Sequence, residues 1–267
     1  MKIAIIGCGK QSFKHISGIR SAAKETEIVV YDENLPSAEK LARTTNVQVA
    51  DWQDILGDET VSGGIICTPT HTHTNISLDL MHSGKSVLCE KPLSHSKSSH
   101  IEIIEAEKRT GCKLVVGYIY RQSPRCGALK TFTTQGMLGD IFAAHFRVGG
   151  RGDHSAWKHR SVTGGGAINE MLVHMIDLAQ WTLGPLDKIS EAFSRNLRPE
   201  RLIGGERIEQ DVEDYIAIRA TMKSGAEVWM EADLTTTGFT QHVELLGCNG
   251  NGFTSIVPHM PSFVFLK

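Results

Sequence analysis

The chain has 267 residues, enough for one large domain or two moderate ones around a buried core. Apolar residues make up 40% and charged residues 22%, an ordinary globular balance, and a formal net charge of -2 argues against nucleic acid or an anionic membrane as partner. Met1 to Gly9 does not read as a signal peptide and no stretch has the length of a membrane span, so a soluble, cytoplasmic protein is expected.

The first 120 residues alternate strand and helix patterns. Ile3 to Ile6 is a short apolar run ending at Gly7, as in a buried parallel strand, and Phe13, Ile16 and Ile19 then recur at helical spacing. Ile28 to Tyr31 is a second strand, ending at Asp32, and a helix with Ala38, Leu41 and Ala42 inward follows. Gly64 to Cys67 and Ser86 to Cys89 are further strands, with a helix over Ile76 to His82 between them. Ile101 to Arg109 reads as a helix with Ile101, Ile104 and Ala106 among its apolar positions, and Lys113 to Val116 as a strand. Such alternation predicts βαβ units and a parallel sheet. The six cysteines contain no CxxC pair, and Cys8, Cys67 and Cys89 fall in or beside buried strands, so they are expected to be reduced core residues.

After Tyr120 the texture changes. A helix over Cys126 to Gln135 is followed by longer alternating runs at Ile141 to Phe146, Tyr215 to Thr221, Glu227 to Leu234 and His242 to Leu246. Met222 to Gly225 reads as a hairpin turn, and the alternation predicts a largely antiparallel open sheet with one wetter face. One helix, Ala167 to Leu183, ends at Gly184-Pro185. The expected fold class is α/β. A parallel-sheet domain over residues 1–121 is expected to precede an α+β domain with a largely antiparallel sheet over 122–267.

Four constellations carry chemistry. Gly7, Gly9, Lys10, Gln11 and Ser12 lie in a G-x-G-x-x-small loop between a strand and a helix. There the glycines admit a pyrophosphate and the helix N-terminus offers free N–H donors. About 20 residues on, Asp32 is placed to bind an adenosine ribose, and Glu33 beside it would repel a 2′-phosphate, which favours NAD over NADP. Thr68, Pro69, Thr70 and His73 follow another strand and are expected to line the same crevice. His71 and His73 form an H-x-H pair, but no third ligand lies near, so no metal is expected. Glu90-Lys91-Pro92 places a lysine just past a strand's carboxyl end, where ligands bind. The fourth constellation runs from Gly164 to Asp177, with Glu170, His174 and Asp177 on one helical face. Histidine side chains as a class titrate near neutrality, which suits proton transfer. The glycine-rich basic segment from Arg147 to Arg160, with Trp157 and Lys158, precedes it and reads as a substrate loop.

In combination these motifs resemble the Gfo/Idh/MocA oxidoreductases. The resemblance rests on Gly7-Cys8-Gly9 with His15, Thr68-Pro69 with His73, Gly84-Lys85, Glu90-Lys91-Pro92 and Arg121. It continues through Gly136 with Gly139-Asp140, the Gly164 to Asp177 block, Glu213-Asp214, and Gly247 with Gly250. It implies hydride transfer between NAD and a sugar, polyol or nucleotide-sugar, with Lys91 touching nicotinamide and substrate oxygen and His174 as acid/base. Glu170 stands where the family usually has aspartate. Glu90 and Arg121 fall among the implied cofactor residues, and Tyr118, Trp157 and Lys158 among the substrate residues. It also implies a Rossmann dinucleotide-binding domain over residues 1–121, a C-terminal α+β substrate and oligomerisation domain over 122–267 and a homo-oligomer (dimer or tetramer) through the C-terminal sheet, and the chain stops sooner after Gly252 than the family pattern. Two other functions fit the same motifs: a non-catalytic dinucleotide-binding regulator and an NAD-assisted glycosidase.

Overall fold

A computed structural model describes residues 1–153 and 155–267, which divide into two compact units, Met1–Gly117 and Tyr118–Lys267. Each builds its own sheet and core.

In the first unit six parallel strands stand in the order β3-β2-β1-β4-β5-β6. They are β1 (Lys2–Ile6), β2 (Glu27–Tyr31), β3 (Gln48–Val49), β4 (Val61–Ile66), β5 (Ser86–Cys89) and β6 (Leu114–Val116). Five helices connect them: α1 (Lys10–Ala22), α2 (Leu35–Thr45), α3 (Trp52–Gly57), α4 (His73–His82) and α5 (Lys97–Thr110). Successive side chains on a strand point to opposite faces, so the apolar runs feed two cores. Ile5, Val30 and Ile65 pack with Ile16 and Leu41 of α1 and α2. Ala4, Ile6, Val29 and Ile66 pack with Leu80 and Ile103 of α4 and α5. Burial on both faces is why these strands read as continuous apolar runs rather than alternating ones. Strand order reverses at β1, which has β2 on one side and β4 on the other. The crevice at that reversal, beyond the carboxyl ends, is where such sheets bind ligands. Ile103 and Ala106 of α5 turn inward, and Ile101 and Ile104 are exposed.

The second unit begins with α6 (Pro124–Thr134) and β7 (Ile141–Gly149). The helix expected over Ala167 to Leu183 is instead a π-helical turn, Ile168–Leu172, leading into α7 (Val173–Leu183). The remaining strands are β8 (Leu186–Arg195), β9 (Glu200–Ile203), β10 (Glu206–Glu209), β11 (Tyr215–Met222), β12 (Glu227–Asp233), β13 (Thr240–Gly247), β14 (Gly250–Thr254) and β15 (Phe263–Leu266). Six of them join β7 in one sheet, β15-β14-β13-β7-β12-β11-β8, and β9 and β10 form a separate hairpin. Only β7 and β12 pair in parallel; the other pairs of the large sheet are antiparallel. Alternation in β11 and β12 sends Ile216, Ile218, Val228 and Met230 against Leu172, Met175 and Leu178. The opposite face is open, which is the wetter face that the alternating pattern predicts. Strand β8 lies at the sheet edge with nearly every residue exposed. Its lack of apolar alternation hid it from sequence reading.

Phe146 sits in the middle of β7 and is 1% exposed at the centre of this core. Phe146→Ala should therefore destabilise the C-terminal unit by about 3–5 kcal/mol, read as a lowered urea midpoint against the parent chain.

Candidate active site

The glycine loop at the end of β1 is shaped by its neighbours. Gly7 has φ +93°, and a Cβ there would stand 2.8 Å from Cγ2 of Thr68, so only glycine fits. Gly9 faces open space, with nothing within 4 Å of where its Cβ would be. The Cys8 N–H donates to Asp32 Oδ2 at 2.7 Å, and the Asn34 N–H donates to Oδ1 at 2.8 Å. The acid at the end of β2 thereby holds the loop, and each of its oxygens retains a second lone pair for a ribose hydroxyl. Burial, with Asp32 adding, pushes the Cys8 thiol up to about 12, so it stays protonated and inert. Ser12 is fully buried and donates its hydroxyl to the Gly9 carbonyl at 2.5 Å, leaving its backbone rather than its side chain for a ligand. No side chain caps α1 and no acid lies in its first turn, so its positive end is left for an anion. An uncapped helix start, a glycine with room beside it and an oriented carboxylate fit a dinucleotide.

The loops after β4 and β5 flank this region. His15 Nε2 lies 2.8 Å from Glu90 Oε1, which ties α1 to the residue before Lys91. Lys91 is half-buried, and Thr68 and Pro69 are likewise partly exposed. Thr70 and His73 do not line a crevice as expected: they are 2% and 1% exposed. His73 Nδ1 is 2.8 Å from the Pro92 carbonyl and Nε2 is 2.9 Å from the Thr68 carbonyl. Its ring therefore fastens the two loops together. A neutral imidazole donates to only one of those carbonyls. Protonation would add a charged hydrogen bond of about 1.5–3 kcal/mol, but an imidazolium in the interior costs several kcal/mol. Burial prevails and pulls the His73 pKa below its ordinary value. His71 is exposed, so the two histidines of the H-x-H pair are not presented together.

In the second unit the glycine run sets the geometry of the buried polar helix. A Cβ on Gly165 would strike the Lys158 carbonyl, and one on Gly166, at φ +102°, would strike the Glu213 carboxylate. Without side chains there, the segment 156–163 lies directly against the start of the helix. Gly166 N–H donates to the Lys158 carbonyl at 2.9 Å, and Ile168 N–H donates to Glu213 Oε1 at 2.9 Å. Lys158 is thereby brought into an ion pair with Glu170, whose side chain is 3% exposed. The Lys158 ammonium also stands 5.3 Å from the Trp157 ring centre. Beyond the π turn, a feature that recurs at functional sites, His174 is buried with its ring 4.8 Å from that of Tyr120 and 6.4 Å from that of Tyr118. Asp177 accepts two hydrogen bonds from Arg121, at 2.8 and 2.5 Å. Arg121, expected beside the cofactor, is thus engaged in holding the helix.

Reading residue types missed the pairing of these groups, because each partner comes from a distant segment. It also missed a buried network behind Lys158. His159 Nδ1 lies 2.6 Å from Gln210 Oε1, which accepts from Arg201 Nε at 2.8 Å, and Arg201 in turn pairs with fully buried Asp214 at 3.0 Å.

Comparison with known proteins defines the class. Residues 1–118 match the oxidoreductase family with an NAD-binding Rossmann fold, and residues 127–251 match the GFO/IDH/MocA C-terminal domain. The chain belongs to the Gfo/Idh/MocA oxidoreductase family. It is 26% identical to a levoglucosan dehydrogenase of Pseudarthrobacter phenanthrenivorans over 84% of this chain and 63% of that protein. It is also 26% identical to an inositol 2-dehydrogenase of Acidothermus cellulolyticus, over 94% of this chain and 71% of that one. The chain thus spans less than two thirds of the first of these relatives. A levoglucosan dehydrogenase solved with NADH and L-sorbose superposes with a TM-score of 0.90 at 21% identity, over 100% of this chain and 76% of that one, which shows the shared fold.

The His73 clamp gives a signed pH dependence. Its folded pKa lies below its unfolded value of about 6.5, so the unfolded chain binds more protons between the two values. The contribution is complete above about pH 6.5 and is lost as pH falls through the folded pKa. Urea midpoints at pH 7.5 and pH 5.5 should differ more for the parent chain than for His73→Gln. An equal difference in both would show that the ring does not titrate with folding.

Proposed function

We propose that the protein is an NAD-dependent oxidoreductase that transfers a hydride between the cofactor and a hydroxyl-bearing carbon of a sugar, polyol or nucleotide-sugar. The observation that carries this reading is the glycine loop clasped by Asp32 at an uncapped helix start, at the point where strand order reverses. The sugar and polyol dehydrogenases among the relatives support the substrate class. In this reading residues 1–121 bind the dinucleotide and 122–267 bind substrate and make subunit contacts. The protein would work in the cytoplasm; no helix among the described residues is long and apolar enough to cross a membrane.

The bound nicotinamide supplies the hydride acceptor or donor. Asp32 holds the adenosine ribose, with Glu33 disfavouring a 2′-phosphate, and the N–H groups from Gly9 to Ser12 hold the pyrophosphate. Glu90, anchored by His15, orients Lys91, whose ammonium hydrogen-bonds the reacting oxygen and stabilises the negative charge that grows there during oxidation. His174 takes the hydroxyl proton, so alcohol loses one hydride and one proton to become a carbonyl compound; the reverse direction returns both. Lys158, fixed by Glu170, and Trp157 and Tyr118 contact the rest of the substrate.

NAD should bind more tightly than NADP in a fluorescence titration, and Asp32→Ser should narrow the difference. Lys91→Ala and His174→Ala should each lower turnover of the best alcohol from a sugar and polyol panel, by about 10²–10⁴-fold for His174, with NAD affinity kept in the histidine variant. Glu170→Gln should lose less. Tighter NADP binding would sink the cofactor assignment. NAD binding without turnover of any alcohol would favour the regulator.

We also infer a homo-oligomer through the open face of the C-terminal sheet. Trp229, stacked on His145 at 5.1 Å, and Phe142, Phe263 and Phe265 are all exposed there. Trp229→Glu should shift the sedimenting species toward monomer; an unchanged sedimentation coefficient would count against this face.

A further inference from the structure

We propose that a cavity in the C-terminal unit, walled by Arg151, Arg198 and Arg201, binds a carboxylate or phosphate group carried on a small organic body. Strands β7 and β12 run parallel and end together at Gly149 and Asp233. The chain leaving β7 supplies Arg151, the chain leaving β12 supplies Thr237, and the approach to the β9–β10 hairpin supplies Arg198. The cavity measures about 430 Å³, within the range of small-molecule sites and larger than a bare ion needs.

Local charge is unbalanced. Arg151 pairs with Asp153 at 3.0 Å, Arg207 with Glu200 at 3.0 Å, and Arg201 with Asp214 at 3.0 Å. Among the described residues no carboxylate pairs with Arg198, whose guanidinium donates only to the Thr235 carbonyl at 3.2 Å. Asp153 and Glu200 also line the cavity, so with Asp214 and Arg207 counted four arginines meet three carboxylates, and the Arg198 guanidinium at the cavity wall is the surplus cation among the described residues.

The wall behind it is rigid. Arg201 is 6% exposed, and besides Asp214 and Gln210 it donates to the carbonyls of Arg151 at 2.9 Å and Leu234 at 2.7 Å. Burial, together with the nearby charge of Arg198, lowers its pKa, while Asp214 works against them. Two guanidiniums beside one cavity repel each other, and an oxyanion between them removes that repulsion. Planar forks suit carboxylate and phosphate oxygens alike. Exposed Arg151 and Arg198 can close onto the group, while Arg201 supplies fixed positive potential. Gln210 Oε1 is shared by Arg201 and His159, the residue after Lys158, so the cavity is wired to the segment that carries the Lys158–Glu170 pair.

Calorimetric titration of the full chain with inorganic phosphate, D-glucuronate and neutral glucose tests this without reference to turnover. It is therefore independent of the dehydrogenase reading. Saturable binding of phosphate or glucuronate, but not glucose, is expected, and whichever anion binds identifies the group as phosphate or carboxylate. Arg198→Gln should weaken that binding about tenfold or more, while Arg198→Lys, which keeps the charge and loses the fork, should weaken it less. Thermal midpoints equal to the parent's would show that both variants are folded; should Arg198→Gln unfold, Arg151→Gln serves in its place. Binding of neither anion, or equal binding to the parent and a folded arginine variant, overturns the proposal.

Discussion

A carboxylate removed from water has to meet a cation, and α7 with its π turn buries two of them. Glu170 and Asp177 lie on a helix packed against β7, β11 and β12, where an unpaired charge would cost several kcal/mol. Lys158 answers the first and Arg121 the second. For Lys158 to arrive, residues 156–163 must lie against the helix start, and that contact tolerates no Cβ at Gly165 or Gly166. The glycine run, the two ion pairs and the buried imidazole of His174 are therefore consequences of one requirement. A buried salt bridge adds little net stability, but it can hold groups in one arrangement. Fixing the helix on either side of His174 suits the proton transfer proposed for it.

The N-terminal unit meets a similar demand with weaker forces. Its strands are buried on both faces and need no help, but the loops at their carboxyl ends carry the polar groups. Three ties hold them: Asp32 to the Cys8 amide, His15 to Glu90, and His73 between the Thr68 and Pro92 carbonyls. Each joins segments remote in sequence on the carboxyl-end side of the sheet. Loops held in this way lose less freedom when a ligand arrives, so more of the interaction energy appears as affinity.

The parts of the fold that were legible share a physical cause. Apolar runs such as Ile3 to Ile6, and alternation such as Tyr215 to Thr221, follow directly from burial on two faces or one. Strand β8 gave no such signal because it is wet on both sides and held by backbone pairing to β11 alone. The orientation of α5 was ambiguous because apolar side chains occupy more than one of its faces, and packing chose Ile103 over Ile101 and Ile104. The chemical character of Lys91, Glu170 and His174 could be read from residue type and spacing. The π turn could not, because it arises where Gly166 and Glu213 redirect the backbone.

What the sequence alone determined is the set of local demands: glycines where a backbone must turn or be approached, an acid at the end of β2, a lysine past β5, and a polar stripe on an apolar helix. These are properties of a residue and its near neighbours, set by sterics and by the cost of burying charge. Only the tertiary structure decided how those demands are met. It turned His73 from an expected cofactor contact into a clamp, gave Arg121 to Asp177 and Lys158 to Glu170, and left the Arg198 guanidinium without a carboxylate partner among the described residues. Partners that lie far apart in the chain meet only after both sheets and their connecting loops have formed, so residue order carries no direct record of the pairing.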